Sequence, residues 1–345
     1  MTPSHLATMA RATFVLATLL VGNTGAWAAG SGGVCSITAD TLLKACGADT
    51  SDNYLVATAT CQNLANGSAR NKCLAEAQAT RKDDISNCND VHEARLAVCN
   101  AVGKGAYDPH FGPAYAKNFV DPLQIGRSGP GSVPPNPYFP LIQGSQWKYL
   151  STHKDENGDK VTERHTVTVT NRTKLINGIT CLVVTDIVQS TDGTVEETED
   201  WYAQDVQGNV WYCGEIAQQK ETFDGDKPPK LELVGIDGSW KTGREGGKPG
   251  IQMLAHPKVG KSYRQELAWV EAEDVAKVLA LNADEFVSGV GFSCHKKCVE
   301  TRDYSALEPG ADEHKYYAPG IGLMLEVDLA NGARNELVSY THPHP

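Results

Sequence analysis

Two sets of residues have types and spacings that could do chemistry. The first is the run Cys294-His295-Lys296-Lys297-Cys298. Two thiolates and an imidazole are ligands that suit zinc or copper, so Cys294, His295 and Cys298 are candidate metal ligands for a metal-binding or redox role. An extended strand would hold the two cysteines apart, and a disulfide across a tight turn explains the same spacing. The oxidising compartment argued below favours the disulfide. The second set is Asp186 and Glu199, with His165 on the same predicted face. Paired carboxylates hold a cation or act as general acid and base in a hydrolase. Directly opposite each other on neighbouring strands they repel unless a proton, a cation or water intervenes. Exposure of that end of the face, or a bulge that shifts the register, would remove the conflict. Beyond these sets, Gly291-Phe-Ser293-Cys-His295 lacks the last glycine of a nucleophile elbow, and neither HExxH nor a phosphate-binding glycine loop occurs.

The elements that must position these residues are strands. Asn157-Gly158, Asn177-Gly178 and Asp192-Gly193 favour two-residue type I′ turns, whose central residues need positive φ, and Gln207-Gly208 is a weaker signal of the same kind. They predict a five-stranded antiparallel meander from Trp147 to Glu215. Its register would place Leu150 opposite His165, Val167 opposite Val188, Val169 opposite Asp186, Asp186 opposite Glu199 and Val184 opposite Trp201. One face then collects Leu150, Val167, Leu182, Val184, Val188, Trp201 and Ala203 together with His165, Asp186, Glu197 and Glu199. Cys181 and Cys213 fall two strands apart, too distant to bridge in a flat sheet at about 4.8 Å per strand, although strong curvature would change that. Further on, Trp240 and Met253 anchor a long loop. Glu271 to Leu281 fits helix or strand, and Ile321 to Val327 and Leu337 to Tyr340 close the chain as strands before a frayed tail with His342 and His344.

Upstream, Cys35, Cys46, Cys61, Cys73, Cys88 and Cys99 precede the proline-rich stretch. Tyr54 to Ala101 is rich in Ala, Leu, Arg and Glu without proline, which reads as helix. A reversal at Arg81-Lys82-Asp83-Asp84 with an Asp N-cap would pair Cys73 with Cys88 and Cys61 with Cys99, leaving Cys35 with Cys46. A competing reversal at Asn66-Gly67-Ser68 sets Cys61 and Cys73 symmetrically and divides the segment into three short helices. Thiolate storage of copper or zinc in such a bundle would need CxxC spacing, which is missing. Between the helices and the sheet, Tyr107, Phe111, Tyr115 and Phe119 are too many aromatics for a free tether. The half from Arg127 to Pro137 is more linker-like.

Met1 to Ala28 has Arg11 ahead of an apolar run and ends in Ala-Trp-Ala, the pattern of a secretory signal peptide. No apolar run is long enough for a membrane helix. With 42 Asp and Glu against 31 Lys and Arg, the chain has no basic stripe to replace phosphate counterions, which argues against nucleic acid. The ten cysteines of an exported chain read as disulfides in the periplasm or outside the cell. The expected organisation is a signal peptide (1–28), a cysteine-rich helical segment (29–106), a linker rich in Pro, Gly and aromatic residues (107–137) and an antiparallel β domain (138–345). The fold class is α+β: a small disulfide-stapled helical segment followed by a large curved antiparallel sheet, either a half-barrel or a sandwich.

GSWKTGREGGKPGIQM, PKVGKSYRQE, LEPG and EHKYYAPGIGLMLEV resemble motifs of a group of exported bacterial proteins without an assigned function. DWYAQDVQGNVWY, the leading YFPL and the cysteine-rich segment ending in GAYDP are similar to the same group. YAPGIGLM also resembles strands of half-barrel periplasmic proteins that carry lipids. The first resemblance brings no catalytic residue with it. A sheet that is apolar on both faces needs a cover, a ligand or a partner. The leading expectation is therefore a non-catalytic exported module that binds an apolar small molecule, a lipid or another envelope protein. The metal or redox protein and the carboxylate hydrolase stand as alternatives.

Overall fold

The computed structural model describes residues 33–154, 158–223 and 225–343. The segment read as a signal peptide, Asn157 of the first turn and His344 lie outside the described residues. The chain divides into two compact units, Met1–Leu96 and Ala97–Pro345.

Two long helices dominate the N-terminal part: α1, Val34–Gln62, and α2, Gly67–Val102. The reversal falls at Asn66, whose side-chain Oδ1 accepts from the Ala69 amide at 2.9 Å and caps α2. Cys61 bonds Cys73 and Cys46 bonds Cys88, while Cys35 and Cys99 are disulfide-bonded too. The expected pairs Cys73–Cys88, Cys61–Cys99 and Cys35–Cys46 are therefore corrected. Arg81 to Asp84 contains good or neutral helix residues and no glycine or proline, so nothing there forces the chain out of the helix. Asn66-Gly67 is both a stop and a start, and the segment after it runs as one helix rather than two. The hairpin is also tied by His92 Nε2 to Asp40 Oδ1 at 2.8 Å and by the Arg81 guanidinium over the Tyr54 ring.

The remainder is antiparallel β. The meander comprises β1 (Gln146–Lys154), β2 (Lys160–Ile176), β3 (Ile179–Ser190), β4 (Val195–Gln204) and β5 (Val210–Thr222). Next come β6 (Leu231–Gly235), β7 (Trp240–Lys241), β8 (Lys248–Met253), β9 (Ser262–Arg264), β10 (Glu266–Leu267) and β11 (Asp274–Ala283). The Glu271 to Leu281 ambiguity is thus resolved as strand. The small hairpin β12 (Phe286–Val287) and β13 (Phe292–Ser293) precedes β14 (Cys298–Ser305), β15 (Asp312–Ala318), β16 (Gly322–Asp328) and β17 (Arg334–Thr341). The main sheet runs β10-β8-β5-β4-β3-β2-β1-β17-β16-β15-β14-β11-β9, with β6 and β7 also on β5. Its two ends are one piece of chain, because only Gln265 separates β9 from β10. The sheet therefore curls into a nearly closed, barrel-like form, its two ends meeting at that corner. Gly250 sits against the corner so tightly that a Cβ there would lie 2.3 Å from the Gln265 carbonyl carbon.

Turn lengths decide which residues face inward. Asn177 and Gly178 both have positive φ, and Ile176 faces Ile179 as a two-residue turn requires. A bulge between Val169 and Thr173 then moves the register by two, setting Val167 opposite Asp186 and Val169 opposite Val184. An even shift keeps every residue on its face. The next turn differs, because Ser190 N bonds Thr194 O around a three-residue loop with Gly193 at positive φ. The odd count moves the register by one, so Asp186 faces Thr198 and Thr185 faces Glu199. Strand β1 is displaced by one as well: Tyr149 faces His165, Leu150 faces Arg164, and Leu150 is exposed while Trp147 and Tyr149 are buried.

Cys181 and Cys213 are bonded, with Cα atoms 6.8 Å apart, which corrects the expectation for a flat meander. Trp201 faces Gly214 and Tyr202 faces Tyr212, so Cys213 is the extra residue of a bulge that coils the sheet. Gly214 has φ 131°, and a Cβ would lie 2.5 Å from the Trp240 carbonyl oxygen. Closing a 32-residue separation stabilises the fold by roughly 3 to 4 kcal/mol in the chain-entropy picture.

One end of the barrel is plugged. Ile125 and Leu141 are buried among Trp147, Val169, Leu182, Tyr202, Met253 and Leu337. Buried Asn136 ties the plug to the wall: its amide donates to Gln204 Oε1, its Nδ2 donates to the Gly208 carbonyl, and its Oδ1 accepts from Tyr138 and Phe139. Outside the meander, Phe111 packs on Phe119 and Trp211 over the Cys181–Cys213 bridge.

Candidate functional site

The inward-facing residues change character along the strands. At the plugged end the layer Val169, Leu182, Tyr202 and Val210 is apolar. Toward the other end the same faces carry His165 on β2, Asp186 on β3, Asp200 on β4 and Glu215 on β5. They continue with Glu266 on β10, Asp274 on β11, Asp303 on β14, Glu313 and Lys315 on β15, and Glu326 on β16. The open end of the lumen is therefore an acidic ring holding a lysine and a histidine. A cavity of about 300 Å³ opens there, lined by Glu215, Glu266, Asp274, Asp303, Glu313 and Lys315, with Glu271 and Glu308 also on its lining.

Charge in this ring is balanced unevenly. Lys315 Nζ lies 3.1 Å from Glu313, 3.2 Å from Glu326 and 3.8 Å from Asp303. Burial opposes its charge, but those three carboxylates outweigh it and hold its pKa well above the ordinary lysine value. Asp200 accepts from the Tyr212 hydroxyl at 2.5 Å. Burial first, then Asp186 and Glu196, push its pKa up to about 7 against the two tyrosine hydrogen bonds. Glu215 and Glu266 are raised well above the ordinary range, by burial first and then by neighbouring carboxylates. Asp274, Asp303, Glu326 and Asp186 are raised too, again with burial as the largest cause. Among the described residues no ion pair engages Glu215, Glu266 or Asp274, and Glu266 Oε2 is buried without a hydrogen-bond partner.

The residues singled out from the sequence fall in different places. Asp186 and His165 belong to the inner face, near enough that Asp186 acts electrostatically on the imidazole. Burial disfavours the imidazolium, yet Glu163 and Asp186 together raise the His165 pKa. Glu199 lies on the outer face and pairs with Arg172 at 2.6 Å, so it does not meet Asp186. The odd turn flipped it. Cys294 and Cys298 are joined by a disulfide across a turn in which His295 and Lys296 both have positive φ. Their sulfurs are committed to that bond and pack against Met324 Sδ, and His295 is exposed. The thiolate-ligand expectation for Cys294, His295 and Cys298 is corrected accordingly. His342 is not frayed: its Nδ1 lies 2.8 Å from Ser145 Oγ and its ring meets Trp147 edge-on.

The acidic ring escaped the sequence reading because its members come from strands spread between Asp186 and Glu326. Alternating charge was visible in Glu313-x-Lys315, but only closure of the barrel brings this strand round to Glu215 and Glu266.

No family model and no curated protein matches the chain. Among solved structures it is similar to a beta-barrel-like protein of domain of unknown function DUF1849 from Brucella abortus, at 12% identity and TM-score 0.24, covering 58% of this chain and 98% of that one.

Proposed function

We propose that the protein is an exported, non-catalytic binding module that takes a small polar ligand into the open end of its barrel. The observation that carries this reading is the cavity of about 300 Å³, the low end of the range for small-molecule sites, into which carboxylates from five strands project. Its lining holds neither histidine nor cysteine. The residue types around it bind and orient rather than attack. Five disulfides' worth of cysteines with none free support an oxidising compartment, and no described helix is long and apolar enough to cross a membrane.

A lipid in the lumen has less support, because the apolar half is filled by its own side chains. Leu182, Val210 and Leu337 have no exposed surface. Ala311 is exposed on the cavity rim, so Ala311→Trp places an indole across the entrance without disturbing the core. Native mass spectrometry of protein drawn from its own envelope is expected to show one bound small molecule per chain, missing from Ala311→Trp. A bare-chain mass for both proteins would count against a ligand-binding role.

A further inference from the structure

We infer that the open end of the barrel binds a short linear amine carrying two or more ammonium groups. This rests on reading that end as a ligand site. The wall already holds one such group of its own: the Lys315 ammonium sits among Glu313, Glu326 and Asp303 at 3.1, 3.2 and 3.8 Å. The same cavity is lined by Glu215, Glu266 and Asp274, and among the described residues none of them has an ion-pair partner.

An independent observation points the same way. Glu266 is only 5% exposed and lines the cavity, and its Oε2 makes no hydrogen bond of good geometry, the Trp240 side chain being the one donor close enough to act on the carboxylate. A buried carboxylate oxygen left without a donor is costly, and an ammonium offers three N–H donors with a compensating charge. A bare metal ion fits less well. Calcium takes six to eight oxygens within about 2.6 Å, whereas among the described residues no three His, Cys, Asp or Glu side chains converge to hold a metal. Carboxylates distributed around a wall match charges distributed along a chain. Ala272, Leu307 and Ala311 give the same cavity an apolar strip on which the methylenes between two ammonium groups can lie.

The probes are spermidine and 1,4-diaminobutane, titrated by calorimetry into the full-length protein, with calcium chloride in a parallel titration. Saturable one-to-one binding of spermidine is expected. Glu266→Gln keeps the side-chain shape and removes the charge, and is expected to weaken binding about tenfold or more, a free-energy change of about 1.4 kcal/mol per decade. Glu215→Gln should act in the same direction and serves if Glu266→Gln does not fold. Glu199→Gln, on the outer face, should leave affinity unchanged. Absence of saturable spermidine binding, equal affinity in both lumen variants, or binding of calcium with both amines silent would overturn the inference. A native small molecule lost in Ala311→Trp while spermidine stays silent would overturn it and leave the binding-module reading standing.

Discussion

Lys315→Met is expected to lower the unfolding free energy by about 3 kcal/mol near pH 7.5, because removing one partner strands buried charges that it had compensated. The Lys315 side chain is 22% exposed and its ammonium reaches three carboxylates, and Asp303 beside it is almost wholly buried. Without it, Asp303, Glu313 and Glu326 face one another with no counter-charge. Protonation relieves that conflict, and Asp303 and Glu326 already have raised pKa values, so the loss should shrink by pH 5. Urea unfolding of both proteins at the two pH values measures this. A loss of the same size at both values would mean that packing of the lysine stem, rather than charge, sets the effect.

The wild-type protein without ligand should itself become more stable as the pH falls from about 8 to about 5. Most proteins lose stability over part of that range or change little. Asp200, whose ordinary value is 3.8, titrates at about 7 in the folded chain, and Glu215 and Glu266 lie well above 4.5. Between the unfolded and folded values the native state binds more protons than the unfolded state. Stability therefore declines as pH rises through that interval, and it is fully present only below the unfolded values. For Asp200 alone the span from 3.8 to about 7 corresponds to about 4 kcal/mol. Glu163 and Asp192 work in the opposite sense, with lowered pKa values whose contribution is lost on acidification below about 4. An optimum near pH 5 follows. Asp200→Asn should flatten the slope between pH 5 and 8 while leaving the acid limb in place. Urea midpoints across pH 4 to 9 give the comparison, and stability that climbs steadily toward pH 8 would show that the lumen carboxylates are ordinary ones.

These effects arise from a site of which the sequence revealed only parts. The meander was legible because Asn177-Gly178 fixes a two-residue turn, whereas the helical reversal was legible only in the competing signal at Asn66-Gly67, the favoured one at Arg81 to Asp84 lying inside α2. The α+β class with a curved antiparallel sheet follows from such local signals. What they do not carry is parity. Thr191, Asp192 and Gly193 form a three-residue loop where Asp-Gly alone implies two, and that one residue moves Glu199 from the lumen to the surface. The bulge that leaves Cys213 unpaired depends on the approach of Trp240 to Gly214, a contact between segments that local pattern does not report. The disulfide axis failed for a related reason: an Asp N-cap signal at Asp83 does not end a helix that has no breaker. Barrel closure at Gln265 is the least legible feature of all, since β9 and β10 are short and adjacent in sequence yet pair with strands at opposite ends of the sheet order.

That closure makes one ring of the carboxylates, and the ring's protons are the most direct handle on what it is for. Carboxyl groups that hold protons in the empty barrel must release them when an ammonium ligand arrives, since the cation favours their charged form. Spermidine binding should be followed calorimetrically at pH 7 in two buffers of different ionisation enthalpy, and then again at pH 9. The account predicts net release of about one proton or more per chain at pH 7, diminishing at pH 9 where Asp200 is already ionised. Heats that do not depend on the buffer at pH 7, with binding intact, would place the ligand elsewhere and contradict an acidic lumen built to receive a cation.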